Sequence, residues 1–493
     1  MKHLPLLLKD GYKVGHVYQY PSDTTEVYSN LTPRTGQRAN VDIGGVINFG
    51  LQYFIQEYLI EQFNENFFQR PRKEVQDEYD STINSYLNSN ISFNHVGALH
   101  ELGFLPLRIK ALPEGALVPY GVPVLTVVNT HPEFFWLTNM LETLMSSVLW
   151  KASTSATTAF FYRRQFEKYA ALTGAPREFI PWQGHDFSFR GMCGVEDAAV
   201  SGAAHLLSFT GTDTIPAIGF LKHYYDAEGL IGGSVPATEH SVMCMGEPEN
   251  ELDTFKRLIT EVYPDGIVSV VSDTWDLWRV LTEYLPALKD EILSRNGKLV
   301  IRPDSGDPVK IILGDDDAPA GSPQSQGVIQ LLYQTFGGAE TETGHIMLDE
   351  HIGCIYGDGI NPERQDAILN GLYLGGFASS NIVLGMGSYT YQFVTRDAHG
   401  YAMKATAGRT KSRGLIEIFK DPVTDDGTKK SAKGLLCVDY DADDNFRLEQ
   451  CVTPEREQEG ELLTVFIDGQ QIGYTTLDQI RARVEWELQR AKN

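Results

Sequence analysis

Cysteine is scarce in this chain of 493 residues: five in all, Cys193, Cys244, Cys354, Cys437 and Cys451, widely spaced and without a CxxC pair. That count excludes a disulfide scaffold and reads as buried free thiols in a reducing cytosol. Long hydrophobic runs are missing too. No stretch approaches membrane-spanning length, and the apolar stretch from Leu4 to Leu8 is too short for a signal-peptide core, so a cytoplasmic protein without export or anchoring is expected. Positive charge is short: 41 Lys and Arg face 65 Asp and Glu, a formal net charge of −24 whose field repels nucleic acid and anionic membranes. An anionic ligand must therefore be held by local cations. HExxH, EF-hand and Cys/His metal motifs are absent, as are internal repeats and long low-complexity segments.

What is present is a run of four apolar segments that each break off into small or acidic residues. They run from Val268 to Asp273, Leu299 to Asp304, His351 to Asp358 and Ile382 to Gly387, ending in VVSDTWD, IRPDSGDP, YGDGINP and LGMGSYT. Continuous apolar runs suit strands buried on both faces, and in parallel α/β sheets the ligand sits beyond the strand C-termini. Asp273, Asp304 and Asp358 would put carboxylates in one pocket, while Gly306, Gly357, Gly359, Gly385 and Gly387 would let backbone N–H groups approach a phosphate. A phosphorylated sugar with Mg²⁺ fits such a pocket, since Mg²⁺ needs only one or two carboxylates plus substrate phosphates.

The chain exceeds the size at which one core stops growing, so two domains are expected. The intervals from Asp273 to Asp304 and from Asp358 to Gly387 are each roughly the 30 residues of a βαβ crossover. The longer interval between them contains the polar stretch from Gly314 to Pro323, read as a surface insertion ahead of a helix from Val328 to Phe336. Helical spacing marks 137–149, 157–172 and 197–208, and 185–190 alternates like a strand. The fold class is therefore α/β: an irregular (β/α) barrel over 180–390, with a mixed α+β domain built from both chain ends, 1–179 and 391–493. An open doubly wound sheet would give a similar periodicity.

Six segments carry the chemistry: HDFSFRG (185–191), GTDT (211–214), SVPATEHS (234–241), VVSD (270–273), IRPDSG (301–306) and GDG (357–359). Locally each has a plainer reading, Phe187 as core, Asp213 as a cap, Arg302 as an ion-pair partner and His240 as a structural imidazole. Taken together with DGYKVGHVYQYP (10–21) and FKDP (419–422), they resemble, over nearly the whole chain, the nicotinamide enzymes of the nicotinate/nicotinamide phosphoribosyltransferase family.

The resemblance implies transfer of a 5-phosphoribosyl group from phosphoribosyl pyrophosphate to nicotinamide, giving nicotinamide mononucleotide for NAD salvage. It implies that Phe187 stacks on one face of the pyridine and the partner's Tyr12 on the other, with Asp10 also at the substrate. Asp213 would accept the carboxamide NH₂, which disfavours nicotinate: two like charges about 4 Å apart cost roughly 4 kcal/mol at an effective dielectric near 20. Arg302 and Arg190 would face the ligand, Ser234 and Ser272 would neighbour the carboxamide, and Asp304 would hold the ribose, with Gly357 and Asp358 beside it. Mg²⁺ would bind Asp273, Asp304 and Asp358, directly or through water. His240 would be transiently phosphorylated by ATP, with Glu239 orienting its ring. Arg34, Arg396 and Lys404 would bind phosphate across a homodimer interface, with Lys420 and Lys429 nearby.

Two departures stand out against the family pattern. Gly385-Met386-Gly387-Ser388-Tyr389 replaces a Gly-Ser-Gly-Gly-Gly stretch, and Ser188 stands where Gly is typical. The alternatives are the nicotinate enzyme, another phosphosugar enzyme with a Lys or Glu catalyst near the strand ends, or a non-catalytic binding protein retaining the fold.

Overall fold

Six parallel strands, Gly184–Asp186, Gly211–Thr212, Asp265–Val271, Asn296–Arg302, Ile352–Tyr356 and Ile382–Met386, form a half-barrel sheet. The structure, a computed structural model, describes residues 3–357, 359–420 and 431–490. Asp358, Lys429 and Lys430 lie outside the described residues. The strand ending at Val271 lies at one edge, followed across the sheet by those ending at Arg302, Tyr356, Met386, Asp186 and Thr212. The four apolar runs are thus four consecutive neighbours. Their register is close: Val271 pairs with Arg302, Tyr356 with Leu384, and Met386 with Asp186, so their endings share one edge. Each edge strand also meets the segment 233–237, through parallel bridges Gly211↔Gly233 and Ala237↔Ser269.

The apolar residues of these strands explain why they are central. Val268, Val270, Leu299, Ile301, Ile382 and Leu384 are fully buried in a core shared with Phe166, Leu285 and Leu332. The sheet belongs to a unit of residues 158–221 and 228–393; the other unit comprises 1–157, 222–227 and 394–493. The first break lies at 157 rather than near 179, inside one helix, Glu142–Thr173. No Gly or Pro interrupts that stretch, so the two helical patterns at 137–149 and 157–172 merge, after a short turn at Leu137–Met140. Ala159, Tyr162 and Phe166 then join the core of the parallel sheet.

The other unit is built around a seven-stranded antiparallel sheet. Its strands run, in order, Gly414–Glu417, Ala402–Thr410, Thr24–Thr32, Leu125–Asn129, Leu107–Ala111, Leu463–Ile467 and Gln470–Gln471. Leu31, Val127, Ile109 and Phe466 are buried in its core. Among the described residues no helix is long and apolar enough to cross a membrane. All five cysteines are free, but only Cys354 and Cys437 are buried; Cys193, Cys244 and Cys451 are exposed, against the expectation of buried thiols.

The turns after the strands have a repeated construction. Three residues beyond Asp273, Asp276 accepts the Trp278 and Arg279 N–H groups and caps a helix. Three beyond Asp304, Asp307 caps Pro308–Leu313 by accepting the Val309 and Lys310 N–H groups, with Pro308 at the first helical position. Three beyond position 358, Asn361 caps Pro362–Leu374, again with Pro at its start. Three of the four endings thus have a second polar residue whose task is folding. Asp307→Ala is expected to lose about 1 kcal/mol of stability, the usual worth of an N-cap, with its activity at saturating substrate retained. Urea unfolding beside steady-state rates checks this.

Candidate active site

At the end of Gly184–Asp186 the chain leaves the sheet at once. The strand expected over 185–190 stops at Asp186, and Phe189–Gly191 is a single 3₁₀ turn. Asp186 accepts the Ser188 N–H at 2.8 Å, which bends the backbone there, and Phe187 N donates to Met386 O at 3.0 Å. Phe187 is therefore half-buried on the rim, its ring 4.5 Å from that of His185. A Cβ on Gly385 would come within 2.7 Å of the Phe187 ring and 2.8 Å of Gly357 Cα, so only glycine admits the ring there.

Beside this ring His185 Nε2 donates to Asp213 Oδ1 at 2.9 Å. Desolvation pushes the Asp213 pKa up, but hydrogen bonds from His185 and Ser234, with the charges of His185 and Arg302, outweigh it and hold the value below the ordinary carboxylate range. Asp213 is thus an ionised acceptor. Beneath it, burial pushes the His205 imidazole down to about 4, so the neutral ring uses one nitrogen to donate to Gly211 O at 2.9 Å while the other accepts from Tyr391 at 2.7 Å. That pair ties down the strand Gly211–Thr212, which Asp213 directly follows.

His185, Phe187 and Asp213 line a cavity of about 880 Å³ together with Trp182, Ser234, Ser269 and Arg302. Arg302 donates to Thr238 O at 2.7 Å, while its buried Nε has no partner. Ser272 does not line the cavity: it is fully buried, and its hydroxyl donates to Val270 O at 2.7 Å. Ser269, with an unpartnered Oγ, lines the cavity from the strand Asp265–Val271, as Ser234 does from its own segment. Ser272 lies just past the end of that strand, where its hydroxyl folds back onto it. Arg190 is exposed beyond the rim.

A second group gathers at the ends of Asp265–Val271 and Asn296–Arg302. Asp273 Oδ2 accepts Asp304 N at 2.8 Å and Ser305 Oγ at 2.6 Å, while the buried Oδ1 has no hydrogen-bond partner. His240 Nε2 lies 4.0 Å from Asp273 Oδ1 and 3.9 Å from Asp304 Oδ2. Glu239 is engaged by the Ser241 hydroxyl. The imidazole's hydrogen-bond partner is instead Thr274, whose Oγ1 lies 3.0 Å from His240 Nδ1. Two carboxylates, one with an orphaned buried oxygen, are hard donors that fit Mg²⁺.

The altered glycine stretch is accommodated by alternation. Met386 turns its side chain into the core, between Gly385 and Gly387, and is fully buried. Among the described residues nothing would meet a Cβ on Gly387. Ser388 packs over Gly191, while Tyr389 is exposed and stacked on Phe393 at 4.8 Å.

The other unit carries the remaining candidates. Tyr12 is 63% exposed, and Asp10 accepts from the Thr143 hydroxyl at 2.7 Å. Arg34 donates to Gly400 O at 2.9 Å, and Arg396 pairs with Asp397 at 3.2 Å. Partial desolvation lowers the Lys404 pKa; Glu142 opposes this, and the nearby charges of Arg34, Lys13 and Lys420 add to it. Lys404 therefore lies in the field of the Arg34 and Lys420 cations, a grouping that suits a polyanion. The one set of three converging metal-type ligands among the described residues, Cys437, Asp439 and Glu449, lies elsewhere in this unit, and Arg456 already pairs with both carboxylates.

Residues 182–459 match the nicotinate phosphoribosyltransferase (NAPRTase) family, and 5–109 match the nicotinamide phosphoribosyltransferase N-terminal domain. The chain belongs to the nicotinate phosphoribosyltransferase family. Its similarity to a nicotinamide phosphoribosyltransferase of Acinetobacter baylyi is 53% identity over 99% of this chain and 98% of the relative. Enzymes of the same name from Xanthomonas campestris and Mycoplasma pneumoniae are 33% and 36% identical, covering 97% and 88% of this chain and 98% and 95% of theirs. The fold is shared with nicotinate-nucleotide pyrophosphorylase of Pyrococcus furiosus (TM-score 0.59, 12% identity, 98% of this chain and 95% of the other). It is also shared with human nicotinic acid phosphoribosyltransferase (TM-score 0.53, 15% identity, 98% and 94%). All six parallel strands fall within the 182–459 match of this family.

Proposed function

We propose that this chain transfers the 5-phosphoribosyl group of phosphoribosyl pyrophosphate to the ring nitrogen of nicotinamide, forming nicotinamide mononucleotide and pyrophosphate in NAD salvage. The observation that carries the reading is Asp213, an ionised acceptor fixed by His185 beside the Phe187 ring. An ionised carboxylate accepts the amide N–H of nicotinamide and repels nicotinate. The pyridine nitrogen already has a lone pair, so no activating base is needed; its attack at the anomeric carbon expels pyrophosphate.

Asp304 would hold the ribose hydroxyls, and its charge would stabilise an oxocarbenium-like transition state. Asp273 and Asp304, with Asp358, would hold Mg²⁺, which supplies charge neutralisation for the pyrophosphate leaving group. Arg34, Arg396 and Lys404 would bind phosphate, acting with the partner subunit's Tyr12 in a homodimer. The segment 233–237 would complete an irregular (β/α) barrel. His240 would accept the γ-phosphoryl group of ATP and couple its hydrolysis to the transfer.

The test measures product from phosphoribosyl pyrophosphate with nicotinamide or nicotinate, each with and without ATP. Turnover of nicotinamide, stimulated by ATP and abolished by EDTA, is expected; no turnover of either pyridine would sink the reading. His240→Ala should remove the ATP stimulation and leave a residual basal rate. Equal stimulation in that variant would rule out a phosphohistidine at this position.

A further inference from the structure

We infer that Thr274 is the positioning residue that makes His240 a phosphoryl acceptor at Nε2; this rests on the proposed phosphorylation of His240. An imidazole can attack phosphorus only through a nitrogen that carries a lone pair, so the ring proton must sit on the other nitrogen. Nδ1 lies 3.0 Å from Thr274 Oγ1 and can donate its proton there. Glu239, the residue that sequence proximity favours for this task, is taken by Ser241. Nε2 faces Asp273 and Asp304 at 4.0 and 3.9 Å, too far for a direct hydrogen bond. With those carboxylates engaged by a divalent cation, Nε2 would have no strong acceptor for a proton, and Thr274 Oγ1 would be the acceptor that keeps the proton on Nδ1.

The step then balances. The Nε2 lone pair forms the P–N bond as the bond from the γ-phosphorus to the bridging oxygen breaks, and ADP leaves with that electron pair. The Nδ1 proton stays on the ring, donated to Thr274 Oγ1. The positive charge that develops on the ring faces the two carboxylates.

The experiment incubates wild type, Thr274→Val, Thr274→Ser and His240→Ala with γ-³²P-labelled ATP and Mg²⁺. It follows the rate of acid-labile phosphoenzyme formation and locates the phosphoryl group by ³¹P and ¹⁵N NMR. Phosphorylation of wild type at Nε2 is expected. Thr274→Val should be slower by about tenfold, the ratio an ordinary net hydrogen bond supplies, and Thr274→Ser should restore the rate. An unchanged rate in Thr274→Val, equal slowing in both Thr274 variants, or an Nδ1 phosphoryl group in wild type would each overturn the role of the hydroxyl. No label in wild type, or label persisting in His240→Ala, would instead remove the underlying phosphohistidine reading. An Nδ1 phosphoryl group in wild type would overturn the role even if Thr274→Val does not fold, and the Thr274→Ser rate still reads the hydroxyl.

Discussion

Asp213→Asn should lower the ratio of kcat/KM for nicotinamide over nicotinate by roughly a hundredfold. Two like charges about 4 Å apart cost about 4 kcal/mol at an effective dielectric near 20, nearly a thousandfold. The Asp213 side chain is 45% exposed, so solvent screens part of that cost, and the lower figure is the better expectation. Most of the change should come from faster use of nicotinate, since the amide removes the repulsion. Thermal stability should stay close to wild type, because the Asn oxygen can still accept from His185 Nε2. Steady-state kinetics at saturating phosphoribosyl pyrophosphate provide the check, and an unchanged ratio would remove Asp213 from the discrimination. The lowered pKa adds a pH dependence of definite sign. Asp213 keeps its charge above its ordinary value of 3.8 and loses it only as pH falls through the lower folded value, so its contribution to the preference should be flat across neutral and mildly acidic pH.

The second large effect is expected at Asp273. Asp273→Ala removes the acceptor of Asp304 N and Ser305 Oγ, and with it the orphaned oxygen offered to the metal. The turn that presents Asp304 is then unsupported as well as short of a ligand. A fall in kcat of about a thousandfold is expected, the size seen when one preorganised electrostatic group is lost. Asp307→Ala, in the turn that follows the neighbouring strand, should show the opposite pattern of lost stability and retained rate. Equal losses of rate in the two variants would mean that the polar residues of these turns do not divide their tasks.

Much of this was legible before any coordinates. The four apolar runs are strands because Val, Ile and Leu dominate them, and Asp273 and Asp304 share an edge because parallel strands all end on one side. Side-chain direction was less visible. Ser272 fits a motif by eye, yet Ser269 has the cavity-facing geometry, and the face is set by where the strand enters the sheet. His185 could have been found, since it stands two residues from Phe187 and so on the same face of a strand. Thr274 could not, because its meeting with His240 joins two separate segments. Three of the five cysteines lie on the surface, since an apolar sequence neighbourhood does not fix the burial of one side chain.

The constant offset of three residues between each strand-end acid and the cap that follows governs where this chain can change length. Adding or deleting one residue within VVSDTWD or IRPDSGDP would uncouple the acid from the helix start that fixes it, so neither turn can drift by even a single position. The polar stretch after Gly314 lies beyond the helix that Asp307 starts and ahead of the one that Ser322 caps. Relatives should therefore differ in length there while the spacing from acid to cap stays fixed, and foreign peptides inserted near Ala318 should be tolerated where one extra residue after Asp304 is not.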